Sequence, residues 1–150
     1  MTESIILLVE DNPSDILLTR RALSKQRIMN PLIVAENGQE ALDYLFATGS
    51  HAGRDIRQMP ALVLLDINLP GISGIEVLRR IRADSRTSLL PVTMLTTSKE
   101  DQDLLTSYSL HANSYIRKPV DFGQFVAAVG QLGLYWLVLN QPPPQPPVGS

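Results

Sequence analysis

Two short runs, Ile5-Ile6-Leu7-Leu8-Val9 and Ala61-Leu62-Val63-Leu64-Leu65, are apolar at every position, and each stops abruptly at an acid. Neither run alternates, so neither suits a strand with one wet face. Both fit strands buried on both sides, as in a parallel sheet covered by helices. The sequence between and after them supplies the helices. Asn12-Pro13 reads as a helix start, with Asn as cap and Pro pre-set for the first helical position. Ile16, Leu17 and Leu23 give that helix a buried side, while Arg20, Arg21 and Lys25 face outward. Leu32–Glu36 reads as a second strand, and Asn37-Gly38 turns the chain into a helix carrying Ala41, Leu42, Leu45 and Phe46. The polar stretch Thr48–Met59 is expected to be a long surface loop. Pro60 opens the third strand, and a helix follows near Ile75–Ala83. Pro91 opens a fourth strand, Val92–Leu95. A weaker helix is expected over Asp101–Leu110, with Leu104, Leu105 and Tyr108 apolar. Ser114-Tyr115-Ile116 is a brief fifth strand, and Asp121 caps a last helix expected to run to about Leu137.

Strand and helix alternate five times, which predicts an α/β fold: a doubly wound three-layer sandwich on a five-stranded parallel sheet of order 2-1-3-4-5. Right-handed crossovers place helices on both faces. The chain of 150 residues suits one domain, expected over 1–140 with an extended C-terminal helix. Residues 141–150 hold five of the 11 prolines and are expected to be an extended or disordered tail, with no output domain after it. The chain has no cysteine, which excludes a disulfide scaffold, a zinc finger, an iron–sulfur cluster and thiol catalysis. A net charge of -2 gives no general pull toward nucleic acid or an anionic membrane. The apolar runs fall far short of the ~20 residues of a membrane helix, and the N-terminus lacks a signal peptide. A cytoplasmic protein is the expectation.

Chemistry concentrates at one place. In open parallel sheets ligands bind beyond the carboxyl ends of the strands, where strand order reverses. Strand one ends in Glu10-Asp11, strand three in Asp66, strand four in Thr96-Thr97 and strand five in Arg117-Lys118-Pro119. Three carboxylates brought together repel one another unless a cation intervenes. Carboxylates with a backbone carbonyl suit a hard divalent ion, and an open site that keeps several waters suits Mg²⁺. Lys118 supplies a point positive charge for a phosphoryl oxygen. An aspartate between the two is placed to attack phosphorus and form an acyl phosphate.

In this pattern the chain resembles the receiver domains of two-component response regulators, over residues 4–133. That family carries an acidic pair after strand one, a phosphorylated Asp after strand three, Thr or Ser after strand four, and Lys-Pro after strand five. Here these stand as Glu10-Asp11, Asp66, Thr96 and Lys118-Pro119, and Leu65–Gly74 is the most specific part of the match. The resemblance implies that Asp66 accepts the phosphoryl group and that Asp11 and Glu10 hold Mg²⁺, with the carbonyl of Asn68 completing the site. It implies further that Thr96 bonds a phosphoryl oxygen, that Tyr115 is the aromatic switch, and that the Lys118–Pro119 bond is cis. The Leu95–Ser98 and Ala112–Tyr115 segments and the Tyr135-Trp136-Leu137 end resemble single-domain regulators paired with phytochrome-type kinases.

A signalling phosphoacceptor is therefore expected rather than an enzyme, promoting only its own phosphotransfer and autodephosphorylation. Its expected partners are a sensor histidine kinase, of phytochrome type, and a downstream phosphotransfer protein; neither nucleic acid nor membrane is among them. A Mg²⁺-dependent aspartyl phosphohydrolase is the rival reading. It wants a second carboxylate two residues after the nucleophile, where this chain has Asn68. A phosphorylation-silent scaffold is the other rival, opposed by the intact acid pair, Asp66, Thr96 and Lys118. Tyr135-Trp136-Leu137-Val138-Leu139 exceeds what one helix end can bury, so a homodimer is expected through helix four, strand five and the last helix, with Tyr108, Phe122, Tyr135, Trp136 and Leu137 at the interface. Arg79, Arg80 and Arg82 read as a solvated helix face, and His51 and His111 as surface residues.

Overall fold

The computed structural model describes residues 4–24, 30–97, 110, 112–132 and 134. Five strands form one parallel sheet: β1 (Ile6–Val9), β2 (Leu32–Ala35), β3 (Leu62–Asp66), β4 (Val92–Thr96) and β5 (Ser114–Arg117). Their order is β2-β1-β3-β4-β5, as the alternation of elements predicts. Ile6 pairs with Leu32 on one side and Leu62 on the other, so the first strand sits inside the sheet with both neighbours parallel to it. All of Ile6–Val9 and Leu62–Asp66 is buried, as two runs without alternation require.

Four α-helices lie among the described residues: α1 (Pro13–Ser24), α2 (Gly38–Phe46), α3 (Gly74–Ala83) and α4 (Phe122–Gln131). Strand alternation sorts the core into two halves. Leu7, Val9, Val63, Leu65, Val92 and Met94 face α2 and α3, meeting Ala41, Leu45, Val77 and Ile81. Ile6, Leu8, Leu62, Leu64 and Leu95 face α1 and α4, meeting Leu23, Phe125 and Val129. Helix starts are where the capping residues put them. The Oδ1 of Asn37 accepts the Glu40 N–H at 2.8 Å, and the Oδ1 of Asp121 accepts the Gln124 N–H at 2.8 Å.

The structure departs from expectation at particular residues. Leu17 is 47% exposed rather than part of the buried side of α1. Ile16, Thr19 and Leu23 form the true stripe, at spacings of three and four, and Leu17 is turned about 100° from Ile16. Thr19 tolerates burial because its hydroxyl donates to the Asp15 carbonyl at 2.9 Å. The last helix is described over Phe122–Gln131, and the N–H of Leu134 donates to the Val129 carbonyl at 2.8 Å; the rest of its expected course toward Leu137 lies outside the described residues. The helix expected over 101–110, with Tyr108, lies outside the described residues except for Leu110, as do Tyr135, Trp136 and Leu137.

Two arginines brace the molecule. Arg82 is not solvated with its neighbours: it donates to the carbonyls of Ser88 (3.2 Å) and Leu90 (2.8 Å) and to Asn113 Oδ1 (2.8 Å). The same Asn113 oxygen accepts the Val92 N–H at 2.8 Å, so α3 is tied to the start of β4 and the approach to β5. Arg79 and Arg80 do face out, and both pair with Glu76. Arg54 orders the long loop before β3. Its guanidinium donates to the carbonyls of Tyr44 (2.6 Å), Asp55 (3.1 Å) and Gln58 (2.6 Å) and lies 4.2 Å from the centroid of the Tyr44 ring. Arg54→Ala is expected to lower unfolding free energy by about 2 kcal/mol, because carbonyls positioned for one fork lose their donors together. Arg54→Lys should recover little of that, since an ammonium cannot span the fork. Urea unfolding checks both.

Candidate functional site

The ends of β1, β3, β4 and β5 deliver side chains to the same edge. Glu10 follows β1 directly, its N–H bonded to the Ala35 carbonyl at 3.0 Å, which aims its side chain inward at 1% exposure. Its Oε2 accepts the Asp11 N–H at 3.1 Å. Asp66 is the last residue of β3, 3% exposed, and its Oδ1 accepts the Asn68 N–H at 3.2 Å. Lys118 follows β5. Its N–H donates to the Thr96 carbonyl at 2.8 Å, which sets where the chain leaves the sheet, and the Lys118–Pro119 bond is cis. Lys118 Nζ then reaches Asp66 Oδ2 at 3.2 Å, Glu10 Oε1 at 2.6 Å and Asp15 Oδ2 at 2.8 Å.

Carboxylate oxygens of Glu10, Asp11 and Asp66 lie within 4.8 Å of one another. Glu10 Oε1 is buried and no donor is directed at it; Lys118 is near enough for charge attraction but lies off the line of a hydrogen bond. A buried carboxylate oxygen without a donor, beside two further hard oxygens, fits a divalent cation. Burial, and then the hydrogen bond and charge of Asp66, push the Glu10 carboxyl up to about 7 against the opposing pull of Lys118. For Lys118 burial acts to lower the pKa, but the close carboxylates of Asp15, Glu10 and Asp66 outweigh it and hold the ammonium above the usual lysine range.

Thr96 ends β4 at 1% exposure and, by alternation, shares the sheet face of Met94. Tyr115, paired with Met94 across the ladder, is half-buried on that same face, and burial raises its phenol pKa. Asn68 is exposed on the loop after Asp66, and Asp11 is exposed on the loop after β1. Phe122, expected at a dimer interface, packs part-buried on the α1 and α4 half of its own core.

Two residues of this site escaped the sequence reading. Asp15 stands in the first turn of α1, and its signal was that α1 begins immediately beyond the acidic pair, so its first turn must border the same edge. Gly74 reads as a turn residue but is the first residue of α3. A Cβ there would stand 2.1 Å from the Asp66 carbonyl oxygen and 2.8 Å from Ile67 Cα, so only glycine lets the helix start so close to the end of β3.

Among the described residues no helix is long and apolar enough to cross a membrane. The chain is 41% identical over 139 residues to the probable methanogenesis regulatory protein FilR2 of Methanothrix harundinacea (strain 6Ac), covering 93% of this chain and 87% of that one. It is 35% identical over 133 residues to the response regulator Rcp1 of Synechocystis sp., covering 89% and 88%; Rcp1 has also been solved in a Mn²⁺-bound form, which superposes with a TM-score of 0.71 over 94% of this chain and 99% of that one. The bacteriophytochrome response regulator RtBRR shares 46% identity and superposes with a TM-score of 0.84, covering 96% of this chain and 86% of that one. The model of the response regulator receiver domain matches residues 6–130, a span that takes in every strand and all the converging side chains. The chain belongs to the response regulator receiver domain family.

Proposed function

We propose that Asp66 takes a phosphoryl group from a phosphohistidine on a sensor histidine kinase, and that the added charge is read out by protein–protein contact. One observation carries this reading: a buried carboxylate sits at a strand end between an acidic pair and the Lys118 ammonium, 3.2 Å away. An Asp66 carboxylate oxygen attacks phosphorus, the phosphorus–nitrogen bond breaks, and the imidazole leaves with the electron pair. Glu10, Asp11, Asp66 and the Asn68 carbonyl would hold Mg²⁺. When bound, the ion neutralises charge on the phosphoryl oxygens and the acceptor carboxylate. Lys118 offers its ammonium to the phosphoryl oxygen on the other side, and the Thr96 hydroxyl bonds a further oxygen. Tyr115, on the same sheet face as Thr96, changes its packing in response.

Similarity to the bacteriophytochrome response regulator RtBRR supports a phytochrome-type kinase as the phosphoryl donor, and the proposed place of the transfer is the cytoplasm. A second copy of the chain, meeting it through the helix expected over 101–110, strand five and the last helix, and a downstream phosphotransfer protein complete the proposed partners. Asn68 opposes the phosphohydrolase alternative, since it offers no proton at the position where such enzymes place an acid.

Acetyl phosphate with Mg²⁺, followed by intact mass, tests the reading. A single phosphoryl adduct is expected on the wild type and none on Asp66→Asn. A wild type that stays unmodified under these conditions overturns the proposal.

A further inference from the structure

We propose that Asp15 is a positioning residue that holds Lys118 away from the phosphoryl group and so restrains phosphoryl capture at Asp66. The inference rests on the phosphoacceptor reading and adds a residue to it.

Lys118 Nζ has three carboxylate neighbours: Glu10 at 2.6 Å and Asp15 at 2.8 Å as ion pairs, and Asp66 at 3.2 Å, to which it donates a hydrogen bond. Of these the acceptor Asp66 is the most distant. Asp15 is built to keep its hold. Its N–H donates to Asn12 Oδ1 at 3.2 Å, and its carbonyl accepts the hydroxyl of buried Thr19 at 2.9 Å, so its backbone is fixed from both sides. Its carboxylate stands in the first turn of α1, where the helix dipole favours an anion. The side chain is 27% exposed while the lysine is only 12% exposed, so the pair is shielded on one side and solvated on the other. Such a pair outlasts an ordinary surface ion pair without demanding full desolvation of the acid.

Phosphoryl transfer changes what Lys118 must do. A phosphoryl oxygen on Asp66 needs the ammonium closer than 3.2 Å, and the 2.8 Å ion pair with Asp15 pulls it the other way. The Asp15 charge also repels an incoming anion directly. Both effects act in one direction: loss of the Asp15 charge strengthens anion capture. The same loss cannot strengthen divalent-cation binding, because it removes negative potential from the site. A residue that merely supported α1 would weaken both when removed.

Trifluoroberyllate, titrated in excess Mg²⁺ on the full chain, is the probe for the phosphoryl site, with Mn²⁺ alone, followed by electron paramagnetic resonance, for the cation. Asp15→Asn is expected to bind trifluoroberyllate roughly fivefold tighter than wild type, the size of one partly shielded charge interaction, with Mn²⁺ binding no tighter. Asp15→Ser should behave likewise, and Asp15→Glu, which restores the carboxylate, should return close to wild type. If wild type takes the acetyl-phosphate adduct while both neutral variants bind trifluoroberyllate no better than it does, Asp15 has no such role and the phosphoacceptor reading stands. If wild type takes neither adduct nor trifluoroberyllate, both readings fall together.

Discussion

Lys118→Gln should lower folding stability by about 3 kcal/mol at pH 8 without divalent cations, a cost typical of removing one partner from a buried ion pair. The lysine side chain is 12% exposed and contacts carboxylates of Glu10, Asp15 and Asp66, which its loss leaves facing one another. The deficit should shrink on acidification, and the sign follows from Glu10. Its carboxyl is pushed up to about 7 in the fold, by burial first and Asp66 second, from an ordinary value of 4.5. Between those two values the folded state binds more protons than the unfolded one, so stability falls as pH rises through that window. Lys118 works against that rise; without it the Glu10 carboxyl titrates higher still and the penalty above pH 7 grows. Thermal unfolding of wild type and Lys118→Gln at pH 5.5 and pH 8 measures this. The gap should be wider at pH 8 and should narrow when millimolar Mg²⁺ is added, since a cation replaces part of the missing charge. Equal gaps at both pH values would show that the carboxylates do not depend on Lys118.

Gly74→Ala should cost about 3 kcal/mol and slow phosphorylation of Asp66 as well. The added methyl would meet the Asp66 carbonyl oxygen at 2.1 Å and the Ile67 Cα at 2.8 Å. These are backbone atoms at the end of β3, and no side-chain rotation clears them. The helix start is held there by two bonds, from the Gly74 N–H to the Ile67 carbonyl at 3.0 Å and from the Glu76 N–H to Ser73 Oγ at 3.2 Å. Either α3 lifts off the sheet or Asp66 moves, so both stability and acceptor chemistry suffer. Gly71→Ala is the control: its φ of +70° strains an alanine by roughly 1–2 kcal/mol, but no atom lies within 4 Å of the new methyl. Urea midpoints together with acetyl-phosphate labelling rates separate the two. A Gly74→Ala protein that labels at the wild-type rate would mean α3 yields and Asp66 does not.

Why some features were legible in the sequence and others were not comes down to how local their cause is. Strands buried on both faces announce themselves by composition, and Asn37 and Asp121 cap helices through hydrogen bonds closed within three residues. The strand-end groups were found because topology alone places Glu10, Asp66, Thr96 and Lys118 on one edge. Leu17 was misread because a leucine one residue off the stripe looks like part of it until the helix is seated on the sheet. Arg82 looked like surface charge, and Arg54 gave no signal at all, because their partners are mostly backbone carbonyls, which leave no trace in residue identity.

The sequence by itself determined the architecture, the order of the strands and the edge on which the acids and the lysine meet. Each of these follows from hydrophobic pattern and from the rule that parallel crossovers are right-handed. Only the tertiary structure decided which carboxylates share Lys118, that Asp15 is among them, and that α3 begins against the Asp66 carbonyl. Those are contacts of a few ångströms between segments 50 or more residues apart in one case and eight in the other, set by how helices seat on a twisted sheet rather than by any repeat along the chain.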